Sequence, residues 1–492
     1  MTLSKSLYIR GLQCKKSLWL KKKKPEVLQA PDENAQAVFD TGTSVGELAC
    51  ELFSGGERIE YTGDFNAQIA KTKELIKRGV KVIYEATFCF EGILVMVDIL
   101  CVSEDELVIN EVKSSTSVKE VYIDDAAIQY YVLSSLGYNV GDVNIIHVDN
   151  SYVRGEKLEL EKLFCAQSVT EQVKQKQADI PQILDKFEEI LSQNSEPDID
   201  IGAHCSNPYA CDAWEYCWHE QRGIPEYSVF DISRLRSDKK FDLYKNGVVK
   251  FSDIKDLGKF NASQQIQIKS EISQEQIVDK AAIAEFLGTL SYPLYYLDFE
   301  TFQQAVPQFI GLRPYEQIPF QFSIHKDDGD GNLKHFEFLS EAGADPRYEL
   351  ALNLIKFIPR DACVLAYNMS FEKGVIKRLA EIYPQISNEL MAIQGNIKDL
   401  MAPFASKSYY HPKMRGSYSI KYVLPALVPE FESAYRDLNL IHHGGEAMQA
   451  YAAMIRMNEV QREAYKKALL EYCKLDTLAM VKVLEKLREV AR

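Results

Sequence analysis

The sequence predicts an α/β protein of two domains joined by a helical connector, and three observations carry that expectation. Apolar, β-branched and aromatic runs bounded by polar turns fall in two blocks, at residues 81–113 and 295–368. Stretches with helical periodicity precede, separate and follow those blocks. The chain of 492 residues is longer than one hydrophobic core sustains. The expected units are residues 1–222, a connector at 223–289, and residues 290–492.

With 46% apolar and 26% charged residues, the composition is that of an ordinary globular chain. A net charge of -14 disfavours a protein that coats nucleic acid by bulk electrostatics, yet it is compatible with metal sites built from carboxylates. No apolar run is long enough to span a bilayer, and Ser17-Leu18-Trp19-Leu20 is flanked by lysines where a signal peptide would be apolar. The expectation is a cytoplasmic protein with no membrane partner. Ten cysteines in such a chain are read as buried thiols or metal ligands, because disulfides seldom persist there.

Residues 4–24 read as one helix carrying Cys14, closed by Lys21 to Lys24 and Pro25. The lysines complement the helix dipole or, alternatively, meet a phosphate backbone. A second helix, residues 35–53, contains Gly42-Thr43-Ser44-Val45-Gly46-Glu47. Strands at 81–88, 93–100 and 107–113 then form a hairpin-rich antiparallel sheet. Asp98 interrupts the second strand, and Glu111 and Lys113 share one face of the third because side chains alternate along a strand. Asp98 and Glu111 can hold a divalent ion across neighbouring strands, with Lys113 positioning water and stabilising developing charge. The alternative is a surface ion pair between Glu111 and Lys113.

Cys205, Cys211 and Cys217 recur at equal spacing, while Cys50, Cys89, Cys101, Cys165, Cys363 and Cys473 show no such pattern and read as core thiols. Cys14, alone on its helix, reads by itself as a core thiol, and His204 is a further candidate ligand beside the trio. The connector is polar and helical, with a helix, a Gly247 turn and a second helix over 244–254 that resembles a helix-hairpin-helix module.

Tyr295 to Thr301 reads as a buried strand that ends with Asp298 and Glu300 on one face. Like charges on a buried face need a cation between them, unless the strand simply runs out into solvent. Strands at 320–325, 335–339 and 362–368 follow, the last leading into a helix with Phe371 and Glu372. Tyr472 and Asp476 lie on one face of the final helix.

These motifs carry resemblances. Asp98, Glu111-Val112-Lys113 and Gln129 resemble the Asp, (Asp/Glu)-x-Lys and Gln motifs of the PD-(D/E)XK nucleases, especially the RecB-type branch of CRISPR adaptation and recombinational repair. That branch opens with a histidine in a Gly-x-x-x-His helix; Gly42 to Glu47 stands in its place and makes Glu47 the candidate ligand. Where the family has tyrosine four residues after Gln129, this chain has Leu133, with Tyr130 and Tyr131 close by. One N-terminal cysteine and a C-terminal trio bracketing the core is similar to the same branch and implies a [4Fe-4S] cluster on Cys14, Cys205, Cys211 and Cys217, with zinc as the alternative.

The ordered set Asp298-x-Glu300, Asn368-x-x-Phe371-Glu372 and Tyr472-x-x-x-Asp476 resembles the DEDD 3′-to-5′ exonucleases of the ribonuclease-H-like superfamily, in the tyrosine subclass, with Glu372 where aspartate is usual. The order of modules is similar to an uncharacterised bacterial family known only as a domain of unknown function. The resemblances imply a restriction-endonuclease-like domain followed by a ribonuclease-H-like domain. They imply Mg2+ or Mn2+ on Glu47, Asp98 and Glu111 with Lys113 and Gln129 catalytic, and on Asp298, Glu300, Glu372 and Asp476 with Tyr472 orienting water. The activity implied is metal-dependent phosphodiester hydrolysis of nucleic acid, DNA before RNA, with 3′-to-5′ exonuclease action in the C-terminal half. The rival expectations are a nucleic-acid scaffold with decayed sites and an iron-sulfur redox sensor.

Overall fold

The computed structural model describes residues 2–492 and is mixed α/β. The chain forms two compact units, one comprising the chain through Ile224 with Gln304–Glu316, the other Pro225–Gln303 with Gln317–Arg492. Residues 225–289 thus group with the second unit. No helix among the described residues is long and apolar enough to cross a membrane.

The first unit is built on a seven-stranded sheet: β1 (Leu3–Ser4), β2 (Glu57–Arg58), β3 (Val82–Phe90), β4 (Ile93–Val102), β5 (Leu107–Lys113), β6 (Val140–Val148) and β7 (Phe164–Ser168). Its order is β2-β3-β4-β5-β6-β7, with β1 added beside β4. Strands β3, β4 and β5 are antiparallel neighbours, but β5 pairs with β6 in parallel, as do β2 with β3 and β1 with β4. The three strands expected to pair antiparallel do so, and the further strands make the whole sheet a mixed one. Between β5 and β6 the cause is the helix Glu120–Ser135, a crossover that returns the chain to the same end of the sheet. Its buried face carries Val121, Ala126, Ile128, Val132 and Leu133, and Gln129 among them.

The single helix expected over residues 4–24 is two, Lys5–Gln13 and Lys15–Lys23. They meet at Cys14, whose backbone is extended (φ -157°, ψ 116°). An extended residue releases the thiol from the helical face and presents it to groups that an uninterrupted helix would turn it from.

In the second unit a small core of Val229, Ile232, Phe251, Ile254, Phe260 and Ile268 sits beside the helices Ser237–Lys245 and Ala262–Ser273. Gly247, in the left-handed region at φ +75°, leads into short 3-10 turns, so the second helix of the expected hairpin starts only at Ala262. A two-stranded ladder joins β8 (Ile277–Val278) to β14 (Tyr409–Tyr410). The main sheet comprises β9 (Leu294–Phe302), β10 (Ile318–Asp327), β11 (Leu333–Leu339), β12 (Cys363–Ala366) and β13 (Ile397–Asp399), in the order β11-β10-β9-β12-β13. β9 runs antiparallel to β10 and parallel to β12.

Alternation along β9 divides its side chains between two cores. Tyr295, Leu297 and Phe299 pack with Phe322, Ile324 and Leu354, while Leu294 and Tyr296 pack with the far end of the terminal helix Glu459–Ala491. Asp298 and Glu300 continue the Tyr296 face, toward that helix.

Gly11 in the first helix tests the packing of the first unit. A Cβ there would stand 2.5 Å from the fully buried Phe187 ring and 2.9 Å from Leu18. Gly11→Ala is expected to lower stability by about 1–3 kcal/mol, because overpacking outweighs the helix-propensity gain of about 1 kcal/mol. Denaturant unfolding checks this, and an unchanged or higher midpoint would contradict the packing described.

Candidate functional site

The sheet face of β9 and one face of the terminal helix bring Asp298, Glu300, Tyr472 and Asp476 together on a cavity of about 450 Å³, which Tyr367, Asn368, Tyr418 and Lys421 also line. The strand supplies two acids by its alternation, and the helix supplies Tyr472 and Asp476 one turn apart. Burial pushes all the acids up. Asp298 is raised well above the carboxylate range by burial first, then by the charges of Asp476, Glu300 and Glu372. Glu300 is pushed up to about 8 by burial and Asp476, and Asp476 to about 6 by burial, restrained by a hydrogen bond from Tyr435. Burial and the same carboxylates raise Tyr472, which keeps it a neutral phenol.

Glu372, in the first turn of the helix Met369–Ile382, is buried, pushed up to about 8 by burial, and its Oε2 meets no hydrogen-bond donor. Its charge reaches Asp298, but the tight donor group at the site is Asp298, Glu300 and Cys473, whose ligand atoms lie within 4.8 Å of one another. Cys473, expected as a plain core thiol, is buried and also donates to Asp298 Oδ2 at 3.7 Å. Oxygen-rich and short of cations, this donor set fits a divalent ion.

Three further residues belong to this site: Asp399, an acid to which the sequence assigns no role, Lys421, in a 417–421 segment that resembles one packing near such sites, and Tyr435, which carries no sequence signal. Tyr435 donates to Asp476 Oδ1 at 2.7 Å. The Lys421 ammonium lies 5.2 Å from the Tyr435 ring centre and 5.4 Å from that of Tyr472, and donates to the His442 carbonyl at 3.0 Å. Asp399 accepts from the backbone N–H groups of Asn368 (3.1 Å) and Met401 (3.0 Å). It thereby holds Asn368 in a left-handed conformation (φ +72°) at the start of the helix that carries Glu372.

In the first unit, the register Ile99↔Asn110 sets Asp98 beside Glu111, and Asp98 Oδ2 accepts the Val112 N–H at 2.8 Å. Glu111 is buried; its Oε1 accepts from Lys113 and Lys5 at 2.7 Å each, and its Oε2 from Gln129 Nε2 at 2.8 Å. Lys113 also reaches Asp125 at 2.7 Å. No sequence pattern singles out Lys5 or Asp125, although Asp125 sits one helical turn before Gln129. Glu85 faces the same group from β3, in a left-handed conformation (φ +58°) where the β3–β4 ladder skips a pair. Burial pushes Asp98 up to about 7, with Glu111 adding to it. Glu47 is exposed, and no hydrogen bond or ion pair among the described residues joins it to Asp98 or Glu111. The structure therefore does not bring this candidate ligand to the cluster.

Cys14, Cys205, Cys211 and Cys217 line one small cavity, with His204, Lys16, Trp214 and Trp218. The two indoles stack at 3.8 Å. Amides of Lys16 and Ser17 at the start of the second helix point to the Cys14 sulfur, and Lys16 and Arg10 place positive charge beside the thiols. Burial nonetheless pushes the Cys14, Cys205 and Cys217 thiols up, Cys217 to about 11, and the amides and cations only restrain that rise. Tetrahedral zinc holds its sulfurs roughly 3.8 Å apart. Among the described residues no three of these sulfurs lie within 4.8 Å of one another. Cys165, expected in the core, is exposed.

The acids of the second unit predict an inverted pH dependence for ion-free protein. Glu300 and Glu372 bind protons up to about pH 8 when folded, against an ordinary 4.5. Between those values the folded state carries more protons than the unfolded one, so stability falls as pH rises. The melting temperature of chelated protein is expected to fall between about pH 5.5 and pH 8, Mn2+ is expected to restore more of it at the higher pH, and Glu300→Gln is expected to flatten the slope. Thermal scans with chelator or Mn2+ decide it; a larger Mn2+ effect at the lower pH would count against the site.

Residues 295–419 match the family described as a domain of unknown function (DUF2779). The chain is also similar to the uncharacterized protein UU173 of Ureaplasma parvum serovar 3, with 27% identity over 291 residues, which is 54% of this chain and 41% of that protein. The chain thus spans less than half the length of that relative. The family match covers β9 to β13 and the Ser417-to-Ser419 rim of the cavity, so Asp298, Glu300 and Glu372 lie inside it and Tyr472 and Asp476 beyond it.

Proposed function

We propose that this protein is a metal-dependent nuclease whose second unit removes nucleotides from the 3′ end of a nucleic-acid strand, DNA before RNA. The observation that carries the reading is the meeting of Asp298, Glu300, Asp476 and Tyr472 on one open cavity with buried, poorly compensated carboxylates. Counted in chain order, the sheet runs 3-2-1-4-5, antiparallel on one side of the first strand and parallel on the other, which supports a ribonuclease-H-like fold. Asp98, Glu111 and Lys113 on adjacent strands, with Gln129 on the crossover helix, support a PD-(D/E)XK-like first unit.

Mg2+ or Mn2+ held by Asp298, Glu300 and Asp476, with Glu372 behind them, would stabilise charge on the phosphoryl oxygens and lower the pKa of the attacking water. The neutral Tyr472 phenol orients that water by hydrogen bonding. Tyr435 fixes one oxygen of Asp476, and Lys421, held over two aromatic rings, offers its charge to the phosphate. Tyr418, with the Arg234 guanidinium 5.5 Å from its ring centre, gives a terminal base a surface to stack on. The four cysteines are read as the ligands of a [4Fe-4S] cluster that ties the N-terminal helices to residues 205–217.

Purified protein with Mn2+ is expected to shorten 5′-labelled single strands stepwise from the 3′ end. Asp298→Asn or Asp476→Asn should reduce the rate by about 10³-fold and Tyr472→Phe by about 100-fold. Unchanged cleavage in Asp298→Asn would overturn the site. Anaerobically purified protein is expected to contain iron and absorb in the visible, with both lost in Cys211→Ser; stoichiometric zinc without iron would overturn the cluster.

A further inference from the structure

The first unit treats its carboxylates differently from the second. Where Asp298 and Glu300 have no lysine or arginine ion pair among the described residues, Glu111 and Asp125 are met by two ammonium groups. We propose that Lys5 is the resident cation of the Asp98–Glu111–Asp125 cluster, so that this cluster takes a divalent ion only when the Lys5 ammonium leaves.

Three distances place Lys5 Nζ within the cluster: 2.7 Å to Glu111 Oε1, 3.7 Å to Asp125 Oδ1 and 4.0 Å to Asp98 Oδ1. An ion bridging Asp98 and Glu111 would need oxygens at about 2.0–2.6 Å, in the space this ammonium fills. The remaining acceptors are engaged as well: Glu111 Oε2 by Gln129, Asp125 Oδ2 by Lys113 and Asp98 Oδ2 by the Val112 N–H. Two cations so close together repel strongly in a partly buried site.

Lys5 is also anchored by its backbone, unlike a surface lysine that has found acids by chance. It is the first residue of its helix, capped by the Ser4 hydroxyl, which accepts from the Leu7 N–H at 3.3 Å. Immediately before it, β1 adds to β4 in register Leu3↔Ile93 and Ser4↔Leu94, and the Leu3 N–H donates to the Gly92 carbonyl at 2.9 Å. Leu3 is fully buried. The strand that carries Asp98 therefore also fixes the start of the helix that delivers Lys5. Glu85, whose carboxylate has no hydrogen bond or ion pair among the described residues and lies within electrostatic reach of Lys5 and Glu111, is the acid left to complete an oxygen set once the ammonium is gone.

Ion binding to the first unit tests this directly, and its outcome does not depend on whether the second unit cleaves nucleic acid. In full-length Asp298→Asn/Asp476→Asn protein, Mn2+ titration followed by electron paramagnetic resonance reads the first unit, because thiolates are poor ligands for this hard ion. No saturable Mn2+ site is expected there. Adding Lys5→Gln should create one, binding at least about tenfold tighter than any residual association, and Glu111→Gln should remove it again. Lys5→Arg should keep the ion out. If Lys5→Gln fails to fold, Lys5→Met, which retains the aliphatic stem, serves in its place. A saturable site in the parent that disappears with Glu111→Gln would overturn the proposal, and so would a folded Lys5→Gln or Lys5→Met protein with no site.

Discussion

Side-chain alternation along β9 is the constraint on which the second unit depends. It sends Tyr295, Leu297 and Phe299 to one core and Tyr296, Asp298 and Glu300 toward the terminal helix, so one strand both seals a core and exposes two acids. The helix must then dock at one rotation for Tyr472 and Asp476 to meet those acids. A buried polar seam sets that rotation: Gln321 Nε2 donates to the Leu469 carbonyl at 2.8 Å, and the Thr477 hydroxyl lies 2.7 Å from both Ser323 Oγ and His325 Nδ1. Burial keeps His325 neutral, pushed down to about 3, so the seam does not change charge near neutral pH. Thr477 adjoins Asp476, and Ser323 pairs with Asp298 in the sheet. The seam that fixes the helix thus also sets the spacing of the acids.

The two units give two solutions to one electrostatic problem. Buried like charges are unstable unless a cation or a proton joins them. In the first unit Lys5 and Lys113 supply the cations, and Glu111 is held below the usual carboxylate range by those two lysines despite its burial. In the second unit burial leaves Glu300 and Glu372 holding protons instead, and Lys421, whose charge reaches Glu300, points its ammonium at a carbonyl and two rings. Protons on carboxylates are easily displaced by a divalent ion, whereas a tethered ammonium must be moved. The same residue types at similar spacing therefore have different readiness for metal.

Local pattern made much of this legible. The strand periods placed β3, β4, β5 and β9 within a residue or two, and period two put Asp298 with Glu300 and Glu111 with Lys113. The i,i+4 step on the terminal helix paired Tyr472 with Asp476. Partners set by tertiary structure were not legible. Lys5 precedes Glu111 by 106 residues, and Tyr435 precedes Asp476 by 41 within a stretch of turns. Cys473 looked like any buried thiol because its contact with Asp298 depends on how the helix docks. Glu47 occupies a motif position, but the helix turns it to solvent because Val45 and Ala49 take the buried face.

The break at Cys14 shows how a local irregularity can carry long-range meaning. A helical residue at position 14 would point its side chain along the helix surface and leave the amides of Lys16 and Ser17 inside a continuous ladder. The extended backbone frees those amides to meet the Cys14 sulfur, while the Arg10 guanidinium on the preceding turn grips Asp212 through two hydrogen bonds of 2.7 and 2.8 Å. Asp212 adjoins Cys211, so the ion pair holds the cysteine segment against the helix junction before any metal is considered. Gln13 adds hydrogen bonds to the carbonyls of His204 and Tyr209. The segment around Cys205 and Cys211 is thus held to the helix junction by contacts that do not pass through its sulfurs. Such preorganisation would lower the entropy these side chains lose on holding the proposed cluster.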